Sequence, residues 1–160
     1  MIPKKQIRQM LCLFALLLSF FAIGCNNSKT ISYQSVNQTT SKKDLVAMLD
    51  SKPKETISEN GVEKYIYKCT FLDYEGTMTY SFAEENMMTS RWQTTTTVET
   101  DAKSMYQNIC KEEEKNYGKG TSTDTPDSMQ CKFTTEDRLV VVNFITMDGE
   151  YEVSVTEMEQ

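Results

Sequence analysis

Apolar and polar residues alternate along five stretches of the chain after residue 62, and this alternation constrains the fold more than any other feature. Such a period-2 pattern is typical of strands with one buried face. The alternating residues are Tyr65, Tyr67, Cys69 and Phe71; Met78, Tyr80 and Phe82; Met129, Cys131 and Phe133; Val140, Val142 and Phe144; and Tyr151, Val153 and Val155. A further stretch, 87–98, holds four consecutive threonines, whose branched side chains favour β structure. The sequence therefore predicts six main strands.

Two segments show helical spacing instead. Ser41 is a suitable N-cap for a short helix over 42–50, and apolar residues recur at 3.6-residue spacing over 101–117. The order predicts an α+β fold of two units, each a helix followed by a three-stranded antiparallel meander (αβββ-αβββ). The first unit spans 41–98 and the second 99–160.

The two halves resemble each other at an offset of 62 positions. At this offset Cys69 falls on Cys131 and Phe82 on Phe144. Self-similarity of this kind indicates a repeated supersecondary unit, whereas the alternative is two unrelated α+β halves with similar strands. The dipeptide 148–149, Asp-Gly, predicts a tight hairpin before the last strand.

Composition excludes several chemistries. The 160 residues contain no histidine, which removes histidine-based catalytic triads and every His-ligated metal site. The net charge of −6 argues against a nucleic-acid partner, because phosphates require a basic face. The acidic groups lack the spacing of a calcium loop, so we interpret them as solvated. We expect no catalytic set, no metal and no cofactor, and hence no enzyme.

The first 24 residues predict a signal peptide, with three cations before an apolar run over 10–23. That run is shorter than the roughly 20 residues of a membrane-spanning helix. The run ends in Ala22-Ile23-Gly24-Cys25, which resembles the lipobox of bacterial lipoproteins. The resemblance implies cleavage by signal peptidase II between Gly24 and Cys25, and diacylglycerol on the Cys25 sulfur. The alternative is an ordinary signal peptide with an unmodified Cys25.

Residues 25–40 are predicted to be a lipid anchor followed by a flexible linker. Eleven of the fifteen residues in 26–40 are Ser, Thr, Asn or Gln, a composition that does not drive ordering. The mature chain, 25–160, carries 14 basic and 23 acidic residues, a net charge of −9. Anionic headgroups repel such a body, so we expect it to stand off the membrane, outside the cytoplasm.

The element order over 41–160 resembles the tandem helix-plus-sheet units of the β-lactamase inhibitor protein and of related envelope lipoprotein domains. The resemblance lies in element order and the lipobox, without a diagnostic binding motif. It implies a concave sheet surface used for protein recognition, and it assigns no binding residue.

Three cysteines remain after processing: Cys69, Cys110 and Cys131. An odd number permits at most one disulfide. If the halves repeat, Cys110 lies on the helix above the sheet that carries Cys131, which makes these two the candidate pair. The alternative is three buried thiols that act as small apolar residues.

Two groups of residues are candidates for a binding surface. The stretch 138–146 is apolar on both faces, with Leu139, Val141 and Ile145 on the second face. Such a face is either covered by another part of the chain or exposed for interaction. The other group is Met88, Arg91 and Trp92, residue types that are frequent at interaction hot spots, although a single Trp is also typical of a core.

These observations favour a lipid-anchored, non-enzymatic binding module at the bacterial cell envelope. Its expected partners are the membrane, through the lipid, and another envelope or extracellular protein. The alternatives are a carboxylate-based cell-wall hydrolase and a structural partner in an envelope complex.

Overall fold

The computed structural model describes residues 29–160, so the predicted signal peptide, Gly24 and Cys25 lie outside the described residues. The strands are β1 (Ile31–Ser32), β2 (Glu55–Glu59), β3 (Val62–Phe71), β4 (Tyr74–Ala83), β5 (Asn86–Thr96), β6 (Thr121–Asp124), β7 (Ser128–Thr134), β8 (Arg138–Met147) and β9 (Glu150–Glu159). The helices are α1 (Lys42–Leu49) and α2 (Glu99–Tyr117). Neither of these two helices is long and apolar enough to cross a membrane.

All nine strands form one large sheet. Its order is β1-β3-β4-β5-β9-β8-β7-β6, with β2 also paired to β3. Every pairing is antiparallel except that of β1 with β3. The described chain is therefore mainly β, with two helices on a mostly antiparallel sheet.

The expected three-strand meander is wrong by one strand in each half. β2 follows α1 and β6 follows α2, so each helix precedes four consecutive strands. All four residues of β6 are exposed, and four of the five in β2. Edge strands with solvent on both sides carry no apolar alternation, which is why the sequence pattern does not reveal them.

The residues predicted to cap or end a helix, or to form a tight turn, do so in the structure. The Ser41 hydroxyl accepts a hydrogen bond from the Asp44 N–H at 3.2 Å, which caps α1. The helix α2 stops at Gly118, whose φ of 81° favours glycine. The predicted hairpin at Asp148 and Gly149 joins β8 to β9.

The hydrophobic core lies on one face of the sheet, which we call the helix face. Both helices place their buried side chains there, Leu45 and Leu49 from α1 and Ala102, Tyr106 and Ile109 from α2. The alternating strand residues meet them, and Tyr67, Met78, Tyr80, Phe82, Val140, Val142 and Val153 are fully buried. One shared core therefore unites the two halves.

The N-terminal segment contradicts the prediction of a flexible linker up to residue 40. Ile31 pairs with Cys69 across β1 and β3, and Val36 is buried to 3% exposure. The ring of Tyr33 stacks on Phe71 with centroids 4.0 Å apart. Three apolar side chains in an otherwise polar segment are enough to dock it, although its average composition predicts a coil.

Candidate functional site

The face of the sheet opposite the helices is open in the described part of the chain. Val141 lies on this face, because it alternates along β8 with Val140 and Val142, which belong to the core cluster, and is itself buried outside that cluster. Paired residues on adjacent strands share a face, so four rows can be followed across β7, β8, β9, β5 and β4. The rows are Thr134-Leu139-Met158-Thr89-Ser81, Lys132-Val141-Thr156-Arg91-Thr79, Gln130-Asn143-Ser154-Gln93-Thr77 and Ser128-Ile145-Glu152-Thr95. We call these nineteen positions the open face.

The second apolar side of β8 forms part of this open face. Leu139 is half-buried, Val141 is 8% exposed and Ile145 is 37% exposed. Alternation along β8 predicts these three residues together on the side opposite Val140 and Phe144, and the structure confirms that placement. Neither described helix covers them.

Polar contacts surround this apolar strip. The Arg91 guanidinium donates to Glu152 Oε1 at 2.5 Å and lies 3.4 Å from Ser154 Oγ. The side-chain amide of Gln130 donates to Asn143 Oδ1 at 2.8 Å. Only Arg91, Glu152 and Lys132 are charged among the nineteen positions, and none is aromatic. These nineteen positions are thus nearly neutral on a strongly acidic body, and three of the rows continue on β3 with Lys64, Ile66 and Lys68.

The prediction that Trp92 contributes to a binding surface is wrong. Trp92 is fully buried on the helix face, where its ring meets Phe71 edge-on at 5.6 Å. Alternation along β5 puts Arg91 on the open face and the next residue on the opposite one. Met88 is 48% exposed near the bulge in β5, so the structure leaves it accessible.

The structure brings the predicted disulfide pair together and holds both residues as free thiols. Cys110 and Cys131 line the same small pocket, and burial raises the pKa of the Cys110 thiol to about 12. Cys69 lies in the core at 1% exposure, and burial raises its pKa to about 12 as well. A neutral thiol is a poor nucleophile. The disulfide between Cys110 and Cys131 stays a prediction.

A second feature is a buried polar cluster beneath the N-terminal segment. Glu157 of β9 is 3% exposed and accepts hydrogen bonds from the Tyr33 hydroxyl and, at 2.9 Å, from the Ser35 hydroxyl. Arg138 of β8 lies 3.3 Å from the same carboxylate and also contacts Ser35. A buried carboxylate is stable only when it is partnered, and here the N-terminal segment supplies two of its three partners.

A cavity of about 550 Å³ lies next to this cluster. It is bounded by the N-terminal segment, the turn between β3 and β4, and the last two turns of α2. Glu113 lines it at 1% exposure, and its Oε1 atom has no hydrogen-bond partner among the described residues. Burial, reinforced by the nearby Glu157 charge, raises the pKa of Glu113 to about 7. Glu113 is therefore about half neutral near pH 7.

Burial also acts on the phenol beside this cavity. The pKa of Tyr33 lies well above its ordinary value, because the side chain is desolvated and faces the charges of Glu157 and Glu113. Tyr33 is thus a neutral hydrogen-bond donor at all physiological pH values.

In the sequence, Glu113 belongs to an acidic run predicted to be solvated, and Glu157 is not among the candidate site residues. Both carried a signal in their spacing. Glu113 follows Ala102, Tyr106 and Ile109 on the apolar stripe of the helix, and Glu157 continues the inward alternation of β9. A carboxylate on an apolar stripe predicts a buried charge that needs a partner or a function.

No metal site is evident in the described part of the chain, since no three Cys, Asp or Glu residues of 29–160 group as ligands.

No protein-family model matches the chain, and no curated protein matches it significantly. Among solved structures, a match is found with an extracellular protein containing an SCP domain from Bacillus anthracis strain Ames. The two share 11% identity with a TM-score of 0.34 over 80% of this chain. The aligned region spans about half of that protein, 49% of its length.

Proposed function

We propose that this chain is a lipid-anchored lipoprotein outside the cytoplasm and that its body is a non-enzymatic protein-interaction module. The anchor rests on the lipobox-like Ala22-Ile23-Gly24-Cys25 after a charged and then apolar N-terminus. Acyl chains on Cys25 contribute about 0.8 kcal/mol for each buried CH₂ group, and two or three chains hold a protein stably.

The docked N-terminal segment sets the distance between the body and the membrane in this proposal. β1 begins at Ile31, so only residues 25–30 separate the lipid from the sheet. Six residues span at most about 20 Å when fully extended. The acidic body is then held close to the membrane surface, with less freedom than a linker up to residue 40 allows.

The open face is the observation that carries the interaction role. Its nineteen positions approach the roughly 20–30 residues per side of a standard protein interface. It combines the apolar residues Leu139, Val141 and Ile145 with hydroxyl and amide groups, which is the mixed composition of transient interfaces. The Arg91 Nε atom is buried on this face without a hydrogen-bond partner among the described residues. A partner that draws this guanidinium outward and supplies an acceptor removes a desolvation cost.

The charge of the open face indicates the chemistry of its partner. Arg91 and Glu152 neutralise each other, so Lys132 is the one remaining charge among the nineteen positions. The partner is a folded envelope or extracellular protein that presents aliphatic and uncharged polar side chains. The lack of aromatic residues on the open face disfavours a glycan, because sugar rings typically bind on aromatic planes.

We further propose that the two halves are copies of one helix-plus-meander unit, now with four strands each. The turns at 72–73 and 84–85 recur at 136–137 and 148–149, an offset of 64 positions for both. The β5–β9 pair lies at the centre of the sheet, with three further strands of each unit on its two sides. An offset of 62 preserves the same face alternation, which is why the sequence pattern did not separate the two values.

The anchor is tested by fractionating cells that express the full chain. Wild type is expected in the membrane fraction, and Cys25→Ser is expected to be soluble and to lack the mass of the lipid. Cys69→Ser is the control, since this thiol lies in the core and cannot carry a lipid. A soluble wild type, or a Cys25→Ser variant that stays with the membrane, contradicts the anchor.

The open face is tested by site-specific photocrosslinking in intact cells. A crosslinker at Ile145 is expected to give one discrete protein adduct, whereas a crosslinker at Met48, which is 46% exposed on α1, gives none. The purified partner is then expected to bind Ile145→Lys at least tenfold more weakly than wild type and to bind Met48→Lys normally. Equal crosslinking at both sites, or equal affinity of both variants, refutes the assignment of this face.

One observation favours the hydrolase alternative. Glycosidases pair a carboxylic acid of raised pKa with a second carboxylate, and Glu113 has such a raised pKa with Glu157 nearby. However, Glu157 is enclosed by Tyr33 and Ser35 and does not line the cavity. Release of sugars from purified cell wall by wild type but not by Glu113→Gln would support hydrolysis. A stoichiometric complex after mild detergent extraction would support the structural-partner alternative.

A further inference from the structure

We propose that the cavity beneath the N-terminal segment binds an organic cation that carries N–H donors, a primary ammonium or guanidinium group, through the Glu113 carboxylate. This goes beyond the proposed function, because the cavity lies on the helix face and shares no residue with the open face.

The lining of the cavity matches such a group. Three carboxylates, Asp73, Glu112 and Glu113, contribute to it, and no Lys or Arg is among its lining residues. Glu112 already pairs with Lys115 at 2.6 Å, so Asp73 and Glu113 are the carboxylates left for a ligand. A cation that enters meets negative charge without a competing positive side chain.

Aromatic rings supply the remaining walls. Tyr33, Phe71 and Tyr117 line the cavity, and the first two are stacked on each other. Ammonium and guanidinium groups are attracted to aromatic faces, and a guanidinium also packs flat against them. The cavity is therefore suited to the alkyl part of the ligand as well as to its charge.

The C-terminal end of α2 adds negative electrostatic potential to the cavity. The cavity abuts the last two turns of α2, whose C-terminal carbonyl groups carry the negative end of the helix dipole. Cations are stabilised at such a terminus. Together with the acidic side chains, this orientation excludes an anion from the cavity.

Glu113 distinguishes this cavity from an ordinary acidic surface. Its side chain is almost completely buried, faces the cavity and leaves Oε1 without a partner. An unpaired buried acceptor costs about 1–3 kcal/mol, which is recovered when the side chain turns Oε1 toward a ligand donor in the cavity. A carboxylate that is only half ionised near pH 7 also becomes fully charged when a cation binds beside it, with release of a proton.

The groups around Glu113 do not provide that cation themselves. On its own helix it faces Glu112, Asn116 and, across a turn, Cys110; from β9 it faces Glu157, and from the N-terminal segment Tyr33. The nearby cation, Arg138 of β8, is engaged by Glu157 and Ser35. Binding of a cation in this cavity is therefore coupled to the loss of a proton from Glu113.

The test is calorimetric titration of the full chain, solubilised in neutral detergent, with methylguanidinium and with n-butylammonium. Saturable binding is expected, and its affinity is expected to rise about tenfold between pH 6 and pH 8 as Glu113 ionises with a pKa of about 7. Tetramethylammonium, which has the charge but no N–H donor, is expected to bind at least tenfold more weakly. Further titrations with spermidine and with an Arg-containing tripeptide distinguish a free polyamine from the side chain of a partner protein.

The matched variants are Glu113→Gln and Glu114→Gln. Both remove one carboxylate from adjacent positions of α2, but Glu114 is exposed and does not line this cavity. Glu113→Gln is expected to weaken binding at least tenfold and to abolish its pH dependence, whereas Glu114→Gln leaves both unchanged. The proposal is overturned if no cation binds saturably, if wild-type affinity is the same at pH 6 and pH 8, or if the two variants behave alike.

Discussion

The buried carboxyl of Glu113 makes a quantitative prediction about stability in the absence of any ligand. Burial and the Glu157 charge raise its pKa from 4.5 to about 7. In the unfolded chain the group ionises near pH 4.5, whereas in the folded protein it stays protonated until about pH 7. The stability associated with the protonated form is therefore complete below pH 4.5 and is lost progressively as the pH rises to about 7.

The size of this effect follows from the shift. Each tenfold change in proton affinity corresponds to about 1.4 kcal/mol, so the rise of the pKa from 4.5 to about 7 destabilises the folded protein by ~3 kcal/mol above pH 7. Glu113→Gln has nearly the same shape and cannot ionise, so it removes this penalty. The variant is expected to be about as stable as wild type at pH 4.5 and up to ~3 kcal/mol more stable at pH 8, equivalent to roughly 10 °C in Tm.

Urea unfolding at a series of pH values between 4.5 and 8 measures this difference. The single tryptophan, Trp92, is fully buried in the core and reports on unfolding by its fluorescence. Glu114→Gln is the control, since its exposed carboxylate should leave the difference near zero at every pH. If the stability gap between Glu113→Gln and wild type is the same at pH 4.5 and pH 8, the assignment of a buried, half-neutral carboxyl is wrong.

Two further predictions concern packing around the N-terminal half of the sheet. Gly76→Ala places a methyl group 2.7 Å from the Trp92 ring and 2.6 Å from the Gln93 carbonyl oxygen, so we expect a loss of about 1–3 kcal/mol in urea unfolding and an altered Trp92 emission. Tyr33→Phe removes a hydrogen bond to the buried carboxylate of Glu157, so we expect a loss of about 1.5–3 kcal/mol and faster amide exchange over residues 31–38.

Each of these two substitutions has a matched control variant. Thr77→Ala changes the neighbour of Gly76 on the open face and is expected to leave Trp92 emission as in wild type. Gln34→Ala alters an exposed residue beside Tyr33 and should not change amide exchange in the segment. Unchanged emission in Gly76→Ala, or a Tyr33→Phe variant as protected as wild type, would show that the respective contact is not made in solution.

Period-2 and 3.6-residue patterns predicted most of the regular structure. β3, β4, β5, β7, β8 and β9 and the two helices correspond to predicted segments, because each buries one face and leaves the other in solvent. The edge strands β2 and β6 were missed since they lie mostly in solvent on both sides. The docking of residues 31–38 was missed because its few apolar side chains are outnumbered by polar ones.

The sequence also predicted part of the candidate site. The doubly apolar pattern of β8 predicted the strip of Leu139, Val141 and Ile145, since an inward-facing set leaves the alternate residues on the other side. Trp92 could not be placed in this way, because a stretch of threonines gives no indication of which face of β5 is buried. Its neighbours across the sheet, Met78 and Val155, decide that.

The sequence by itself determined which residues face the same side of each strand, where α1 starts and α2 stops, and which catalytic chemistries are excluded by the absence of histidine. These properties depend on local periodicity and residue type. Only the tertiary structure decided that the two halves join through β5 and β9 into one sheet, that the N-terminal segment closes over Glu157, and that Glu113 faces a cavity without a partner. Those features depend on contacts between residues far apart in the chain, such as Tyr33 and Glu157, which no local pattern encodes.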